Sequence, residues 1–222
     1  MRRAWRSQLV VLARWPAPGR CKRRLAASCG SSSQAAAMQK RLSWHTLHSA
    51  AAAANRTDAQ LVLAAAGLGP RALRRWGQQL LPPATPLTLQ QQAGGSLGCR
   101  MQRQLQRGFA AGCEQVVLIG SDLPTLDPTD LQEAFARLDE TPLVLGPASD
   151  GGYWLIGLNR AGFDRCGAAL MSGIAWGSDR VLATTLARAS RLDLAVALLR
   201  EQSDLDRQSA LEPWLLRAMH QR

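Results

Sequence analysis

Short apolar runs alternate along this chain with longer stretches of helical periodicity. Three of the runs, LVVLA, LVLAA and VVLIG, are continuous, which is typical of strands that helices cover on both faces. The pattern predicts six strands, over residues 9–13, 60–64, 87–90, 115–119, 142–145 and 153–158. It predicts five helices in the other segments, over residues 33–55, 70–80, 97–112, 128–138 and 178–189. Strands that alternate with helices indicate βαβ units and an α/β fold with a mostly parallel sheet.

Two of these helices carry local signals of their own. Leu97, Met101, Leu105 and Phe109 lie four residues apart and predict one apolar stripe. Asp127 and Pro128 predict a helix start, because aspartate caps a helix and its first turn tolerates proline.

The composition agrees with a single globular domain. Of 222 residues, 46% are hydrophobic and 19% are charged, which indicates a chain with an apolar core rather than a disordered one. Undivided α/β folds often have this length, so we predict one domain over residues 1–222. No stretch is long and apolar enough to span a membrane. Five cysteines without a C-x-x-C pair favour neither a disulfide framework nor a thiolate zinc site, and we expect a cytoplasmic protein.

Positive charge is concentrated at the start of the chain. Residues 1–57 contain 11 of the 27 basic residues and no acidic residue. The remaining 16 basic residues are matched by 16 acidic ones, so the first quarter of the chain accounts for the whole net charge of +11. This asymmetry indicates that an anionic partner meets the N-terminal segment.

The segment after the first predicted strand is the first candidate site, because ligands of open parallel sheets bind beyond the carboxyl ends of the strands. A turn with Pro16 and Gly19 is followed there by Arg20, Lys22 and Arg24. Loop amides and these cations together suit a diphosphate. The segment has neither the G-x-G-x-x-G spacing nor the P-loop spacing. A solvated basic loop is the alternative interpretation.

Asp122 is the second candidate, in the segment GSDLP directly after the fourth predicted strand. A carboxylate at the edge of a crevice is costly to bury without a partner. A divalent cation that joins it to phosphate oxygens would remove this cost, and hard oxygen ligands suit Mg²⁺ or Mn²⁺. An aspartate that only caps the following turn is the alternative.

Asp150 is the third candidate, and it follows the fifth predicted strand. Gly151 and Gly152 come next and leave room for a ligand close to the backbone. The carboxylate suits a metal ligand, a contact to sugar hydroxyls or a general base. An ordinary Asp-Gly turn is the alternative. Three strand-end segments that converge on one crevice favour a functional site over three unrelated turns.

Five segments along the chain carry a family resemblance. In order they are VVLARWPAPGRCKRRLA, QAGGSLGCRM, VVLIGSDLPTL, VLGPASDGGYWLIGL and WGSDRVLATTL. Together they resemble a family of GT-A-type glycosyltransferases in the nucleotide-diphospho-sugar transferase superfamily, whose members include proteins assigned to arsenosugar biosynthesis. The resemblance covers residues 9–211.

The resemblance implies a three-layer sandwich with an activated sugar above the sheet and Mg²⁺ or Mn²⁺ on its diphosphate. By position in the motifs, Asp122 would hold the metal and Asp150 would be the catalytic residue that faces the sugar or the acceptor. The implied nucleotide and substrate contacts are Pro16, Gly19, Arg20, Lys22, Arg24, Gly95, Gly98, Arg100, Gly151 and Gly152. Asp204 and Asp206 match a C-terminal acidic run of the family, although the residues after them differ here.

We therefore expect a metal-dependent glycosyltransferase that moves a sugar from a nucleotide-diphosphate donor to a small-molecule acceptor. A nucleotidyltransferase that joins a nucleoside triphosphate to a phosphorylated small molecule is the alternative enzyme, because that fold uses a similar basic first loop. Nucleic-acid binding is a third hypothesis, prompted by the charge. No RRM, helix-turn-helix or KH pattern supports it, and we expect no nucleic-acid partner. The sequence leaves the oligomeric state open.

Overall fold

One mixed sheet of seven strands organises the part of the chain that the computed structural model describes, residues 5–203. The strands are β1 (Ser7–Arg14), β2 (Ala59–Ala66), β3 (Thr88–Gln91), β4 (Gln115–Ile119), β5 (Leu143–Pro147), β6 (Tyr153–Asn159) and β7 (Val196–Leu198). Their spatial order is β3-β2-β1-β4-β6-β5-β7. Strand β6 runs antiparallel to both of its neighbours, and all other pairs are parallel. The predicted mostly parallel sheet is confirmed.

Helices cover both faces of this sheet. They are α1 (Arg23–Cys29), α2 (Ser32–Arg56), α3 (Pro70–Leu80), α4 (Leu97–Ala110), α5 (Pro128–Glu140), α6 (Arg160–Cys166) and α7 (Val181–Arg191). On one face, side chains of α2, α3 and α5 share an apolar cluster with the sheet. On the other face, α4, α6 and α7 do the same. The arrangement is a three-layer α/β sandwich, as expected.

The central strands are buried on both sides. Leu9, Val10 and Val11 of β1 are fully buried, because the layers above and below the sheet each take alternate side chains. The continuous apolar runs of the sequence therefore do correspond to strands covered on both faces. The carboxyl end of β1 is consequently held rigidly beside those of β2 and β4.

Every predicted strand and helix is present, with bounds that differ by three residues or fewer. The largest shift is at α7, which begins at Val181 rather than at 178. Gly177 there has a left-handed backbone (φ 89°) and the Ser178 amide donates to the Ala175 carbonyl, so this segment is a turn. Helices α1 and α6 and strand β7 were not predicted, since seven residues cover only two helical turns and three residues are too few to show strand alternation.

The start of α5 is as predicted and is also tied to the C-terminal part of the described chain. Asp127 and Asp130 form a reciprocal capping box. Asp130 is buried, and its Oδ2 also accepts hydrogen bonds from Arg200 Nη2 (2.6 Å) and Gln202 Nε2 (3.1 Å).

The predicted stripe of α4 is confirmed at Met101, Leu105 and Phe109, whereas Leu97 is exposed at the helix start.

Other expectations concern the membrane and the cysteines. Among the described residues, the helices lack the combination of length and apolarity that a transmembrane helix needs. Cys21, Cys99, Cys113 and Cys166 are free thiols. The single domain over residues 1–222 extends past the described range and stays a prediction.

We predict that Asp130→Asn lowers the free energy of unfolding by about 1–3 kcal/mol, because it removes the charged acceptor of a buried network and leaves its donors poorly satisfied. Urea unfolding at neutral pH measures the loss. The control is Glu133→Gln in the same helix, where the exposed pair with Arg137 (3.2 Å) should contribute less than about 1 kcal/mol. Equal losses in the two variants would contradict this prediction.

Candidate functional site

A crevice of about 580 Å³ opens at the carboxyl edge of the sheet. It lies beyond the ends of β1, β2 and β4, and its volume is within the range of small-molecule sites. Because β6 is antiparallel, its first residue, Tyr153, reaches the same edge as the last residues of β1 and β4. The described residues that line the crevice include Arg14, Arg20, Lys22, Arg23, Arg24, Gln39, Gln92, Arg100, Asp122, Asp150, Gly152, Tyr153, Trp176 and Ser178. The three segments singled out in the sequence do converge here.

Lys22 and Asp122 contact each other directly in this crevice. Lys22 Nζ lies 2.9 Å from Asp122 Oδ2, and the lysine side chain is only 2% exposed. Lys22 caps the start of α1 with a left-handed backbone (φ 47°, ψ 47°), which is unfavourable for a residue with a Cβ. The first loop and the end of β4 are thus joined by opposite charges.

Gln39 of α2 completes the environment of Asp122. Its Nε2 donates to Asp122 Oδ1 (2.5 Å) and lies 3.3 Å from the hydroxyl oxygens of both Ser121 and Ser43. Both carboxylate oxygens of Asp122 are therefore engaged by donors from elsewhere in the chain. Sequence reasoning missed Gln39, because it stands far from every motif. The one available signal is a polar residue on the buried, alanine-rich face of a long helix.

A second cationic group lies at the β1 and β2 end of the crevice. Arg100 Nη1 donates to Gln92 Oε1 (3.2 Å), while Gln92 Nε2 donates to the carbonyls of Ala13 (3.0 Å) and Ala64 (2.7 Å). Burial and the nearby charge of Arg14 lower the pKa of Arg100, although a guanidinium stays protonated at any physiological pH. Like charges held this close favour an anionic ligand.

Several predicted binding residues shape the crevice without lining it. Pro16 and Gly19 belong to the turn between β1 and α1, where Gly19 has φ 72°. Gly95 precedes α4 and packs on Cys99. Gly98 lies under the indole of Trp176, since a Cβ on it would be 2.8 Å from Trp176 Nε1. Contact with a ligand stays a prediction for these residues.

The turn that carries Asp150 is closely packed. Asp150 is exposed, lines the crevice, and its Oδ1 accepts from the Gly152 amide (2.9 Å). Gly151, with φ 84°, lies against the backbone of Asp179, whose carbonyl oxygen would be 2.0 Å from a Cβ. The Asp-Gly turn is therefore present, and Asp150 also lines the crevice. A functional role for its carboxylate stays a prediction.

Metal binding was expected at Asp122. Among residues 5–203, no three His, Cys, Asp or Glu side chains form a cluster that holds a metal. Asp122 offers hard carboxylate oxygens, which fits a Mg²⁺ or Mn²⁺ ion that shares its other positions with phosphate and water. Such an ion would compete with Lys22 for Oδ2. Asp204 and Asp206 lie outside the described residues.

Comparison with known proteins identifies the family. Residues 46–178 match a family described as "Uncharacterized protein conserved in bacteria (DUF2064)". No curated protein matches the chain.

Solved structures resemble the chain over nearly its whole length. A candidate nucleotide-diphospho-sugar transferase from Desulfovibrio desulfuricans G20 has a TM-score of 0.78 and 29% identity, covering 91% of this chain and 83% of that chain. The 4-diphosphocytidyl-2C-methyl-D-erythritol synthase of Anaerococcus prevotii DSM 20548 has a TM-score of 0.61 and 8% identity, covering 97% of both chains.

A third structure, Rv0371c from Mycobacterium tuberculosis H37Rv in complex with manganese, has a TM-score of 0.51 and 19% identity, covering 95% of this chain and 98% of that chain. For the Anaerococcus and Mycobacterium structures, whose identity to this chain is below 25%, the resemblance is one of fold alone. The match over residues 46–178 spans more than half of the chain, and the protein therefore belongs to the DUF2064 family, with the fold of nucleotide-diphospho-sugar transferases.

Proposed function

We propose that this protein is a nucleotide-utilising transferase that moves a sugar from a nucleotide-diphosphate donor to a small-molecule acceptor. The observation that carries the proposal is the convergence of the cationic first loop and Asp122 in one crevice, with Lys22 Nζ 2.9 Å from Asp122 Oδ2. The likeness to the Desulfovibrio protein, at 29% identity, supports a nucleotide donor.

The diphosphate would lie at the cationic end of the crevice. Among the described residues, six basic side chains and two carboxylates, Asp122 and Asp150, line the crevice as a whole. This surplus suits a group with several negative charges. When the sugar leaves, negative charge develops on the diphosphate, and fixed cations such as Arg20 and Lys22 stabilise that charge without having to rearrange.

Asp122 is the residue that would hold Mg²⁺ or Mn²⁺. Gln39 fixes the orientation of its carboxylate, and the oxygen that now contacts Lys22 would turn to the ion while Lys22 turns to phosphate. When bound, the ion adds positive charge to the leaving diphosphate. The manganese complex of the Mycobacterium protein supports the use of a divalent metal in this fold.

Asp150 is proposed to act on the acceptor. It lies at the opposite side of the crevice from the first loop, on a turn held by its own hydrogen bond to the Gly152 amide (2.9 Å). An exposed carboxylate in this position can accept a hydrogen bond from an acceptor hydroxyl and take its proton as the glycosidic bond forms.

Nucleotidyl transfer is the second candidate function. The T. maritima inositol-1-phosphate CTP transferase, with a TM-score of 0.56 and 15% identity over 99% of this chain and 97% of that chain, has the same fold. The same cationic loop would suit a triphosphate. Release of pyrophosphate from a nucleoside triphosphate would favour this activity, whereas turnover of a nucleotide sugar without pyrophosphate favours the glycosyltransferase.

We predict that Arg20→Ala combined with Lys22→Ala weakens binding of nucleoside diphosphates at least about tenfold, because both cations contact phosphate. Nucleoside binding should change little. Calorimetry with UDP, GDP, ADP and CDP and the matching nucleosides measures both. The control is Arg71→Ala with Arg74→Ala, which removes the same charge from exposed positions on α3. Equal losses for diphosphates and nucleosides would mean that the loop acts through folding.

We also predict that nucleotide and metal bind in a coupled way. Since Lys22 neutralises Asp122 in the described state, Mn²⁺ alone should bind weakly, and a nucleoside diphosphate should raise its affinity at least about tenfold. Asp122→Asn should abolish this gain while the fold stays intact, although the loss of the anionic partner of the buried Lys22 should lower the thermal unfolding temperature. Calorimetric titration of Mn²⁺ with and without the diphosphate tests both statements. Undiminished coupling in Asp122→Asn would exclude Asp122 as the metal ligand.

A further inference from the structure

The two ends of the crevice differ sharply in charge. The end formed by β1, the first loop and α4 holds the cations Arg14, Arg20, Lys22, Arg23, Arg24 and Arg100. The other end is formed by the 150–154 turn, residues 176–178 and Val181. Among the described residues that line it, Asp150 is the one charged group, while Asp179 and Arg180 adjoin these residues in the chain without lining the crevice. We call this second end the aromatic end, after Tyr153 and Trp176.

The two aromatic rings form one wall. The ring centroids of Tyr153 and Trp176 are 6.2 Å apart with an interplanar angle of 83°, an edge-to-face contact. The indole rests on Gly98, where no side chain intervenes. Burial raises the pKa of the Tyr153 hydroxyl. The tyrosine is therefore neutral, and what the wall presents to the crevice is an uncharged aromatic surface.

The wall is held rigidly relative to Asp150. The Leu182 amide donates to the Gly151 carbonyl (2.9 Å), and the backbone of Asp179 lies directly against Gly151. The segment that carries Trp176 and Ser178 is thus packed on the turn that carries Asp150. A ligand at this end meets an aromatic surface, a hydroxyl and a carboxylate in a fixed arrangement.

We infer that the aromatic end binds an uncharged sugar ring. Aromatic side chains offer a large apolar face on which the C–H groups of a sugar ring can pack, while Asp150 and Ser178 offer hydrogen-bond partners for its hydroxyls. A phosphorylated ligand is disfavoured there, because its charge would be desolvated beside Asp150 without a cation. A nucleobase would pack on the wall too, but the hydrogen-bonding pair of Gln92 and Arg100 lies at the cationic end.

This inference rests on the proposed function and makes it more specific. In either candidate function the phosphate groups would lie at the cationic end, and the aromatic end would hold the uncharged part of a substrate. The sugar ring that occupies the wall comes either from the donor or from a glycoside acceptor. Both share the same chemistry, and the experiment below separates them.

The test uses Trp176→Ala and two milder variants, Trp176→Phe and Trp176→Leu. Phenylalanine keeps an aromatic face. Leucine keeps apolar packing on Gly98 and serves as the non-aromatic variant if Trp176→Ala does not fold. Trp44→Ala is the control, because Trp44 is 51% exposed on α2 and does not line the crevice. The ligands are the nucleoside diphosphate that binds best among UDP, GDP, ADP and CDP, its glucose, galactose and mannose conjugates, and methyl glycosides of these sugars with that diphosphate present.

We expect wild type to bind a nucleotide sugar or a methyl glycoside, and Trp176→Ala or Trp176→Leu to bind it about tenfold more weakly, which corresponds to about 1.4 kcal/mol. Trp176→Phe should recover most of the affinity, and binding of the bare diphosphate should stay within about twofold in every variant. A loss for the nucleotide sugar identifies the donor as the source of the ring, and a loss for the glycoside alone identifies the acceptor.

Three outcomes would overturn the inference. Unchanged affinity for both sugar ligands in the Trp176 variants would mean that no ring packs on the wall. An equal loss for the bare diphosphate would mean that the wall contacts the nucleobase instead. If wild type binds no nucleoside diphosphate at all, the proposed function itself fails and the inference falls with it, which is a result distinct from the other two.

Discussion

The contact between Lys22 and Asp122 is the constraint around which the crevice is built. A lysine side chain that is only 2% exposed needs an anionic partner, since an unpaired buried charge is strongly unfavourable. The pair draws the loop after β1 onto the end of β4 and holds Lys22 in a left-handed backbone that would otherwise cost about 1–2 kcal/mol. Gln39 extends the same network into α2. The loop, the sheet and one covering helix thus meet at a single carboxylate.

The direction of β6 is the second architectural determinant. In a fully parallel sheet, the residues that precede a strand lie at the edge opposite the strand ends. Strand β6 is antiparallel to both β4 and β5, so its first residue and the turn before it lie at the carboxyl edge. Asp150 lies at this edge because it follows the carboxyl end of β5, and the reversal of β6 adds Tyr153 to the same crevice as Lys22 and Asp122. The reversal therefore gives the crevice one cationic end and one aromatic end.

This division of charge connects the structure with the proposed chemistry. A nucleotide-diphosphate sugar is itself divided, with its charge on the diphosphate and a neutral ring at one end. The six lining cations stand at one end of the crevice, and Tyr153, Trp176 and Asp150 stand at the other. The Desulfovibrio structure, at 29% identity, has the same fold as this chain.

Local patterns were sufficient for the main strands and helices, since continuous apolar runs and helical periods report burial directly, as at Leu9–Val11 and along α4. They also indicated that Lys22, Asp122 and Asp150 follow strand ends, where ligands of such sheets bind, and the structure brings all three to one crevice. They could not reveal that Gln39 holds Asp122, that Gly98 makes room for Trp176, or that Lys22 itself occupies the carboxylate expected to bind metal. Those contacts join residues 39 to 122, 98 to 176 and 22 to 122, and a local pattern carries no information about which distant side chains the packing of three layers brings within hydrogen-bonding distance.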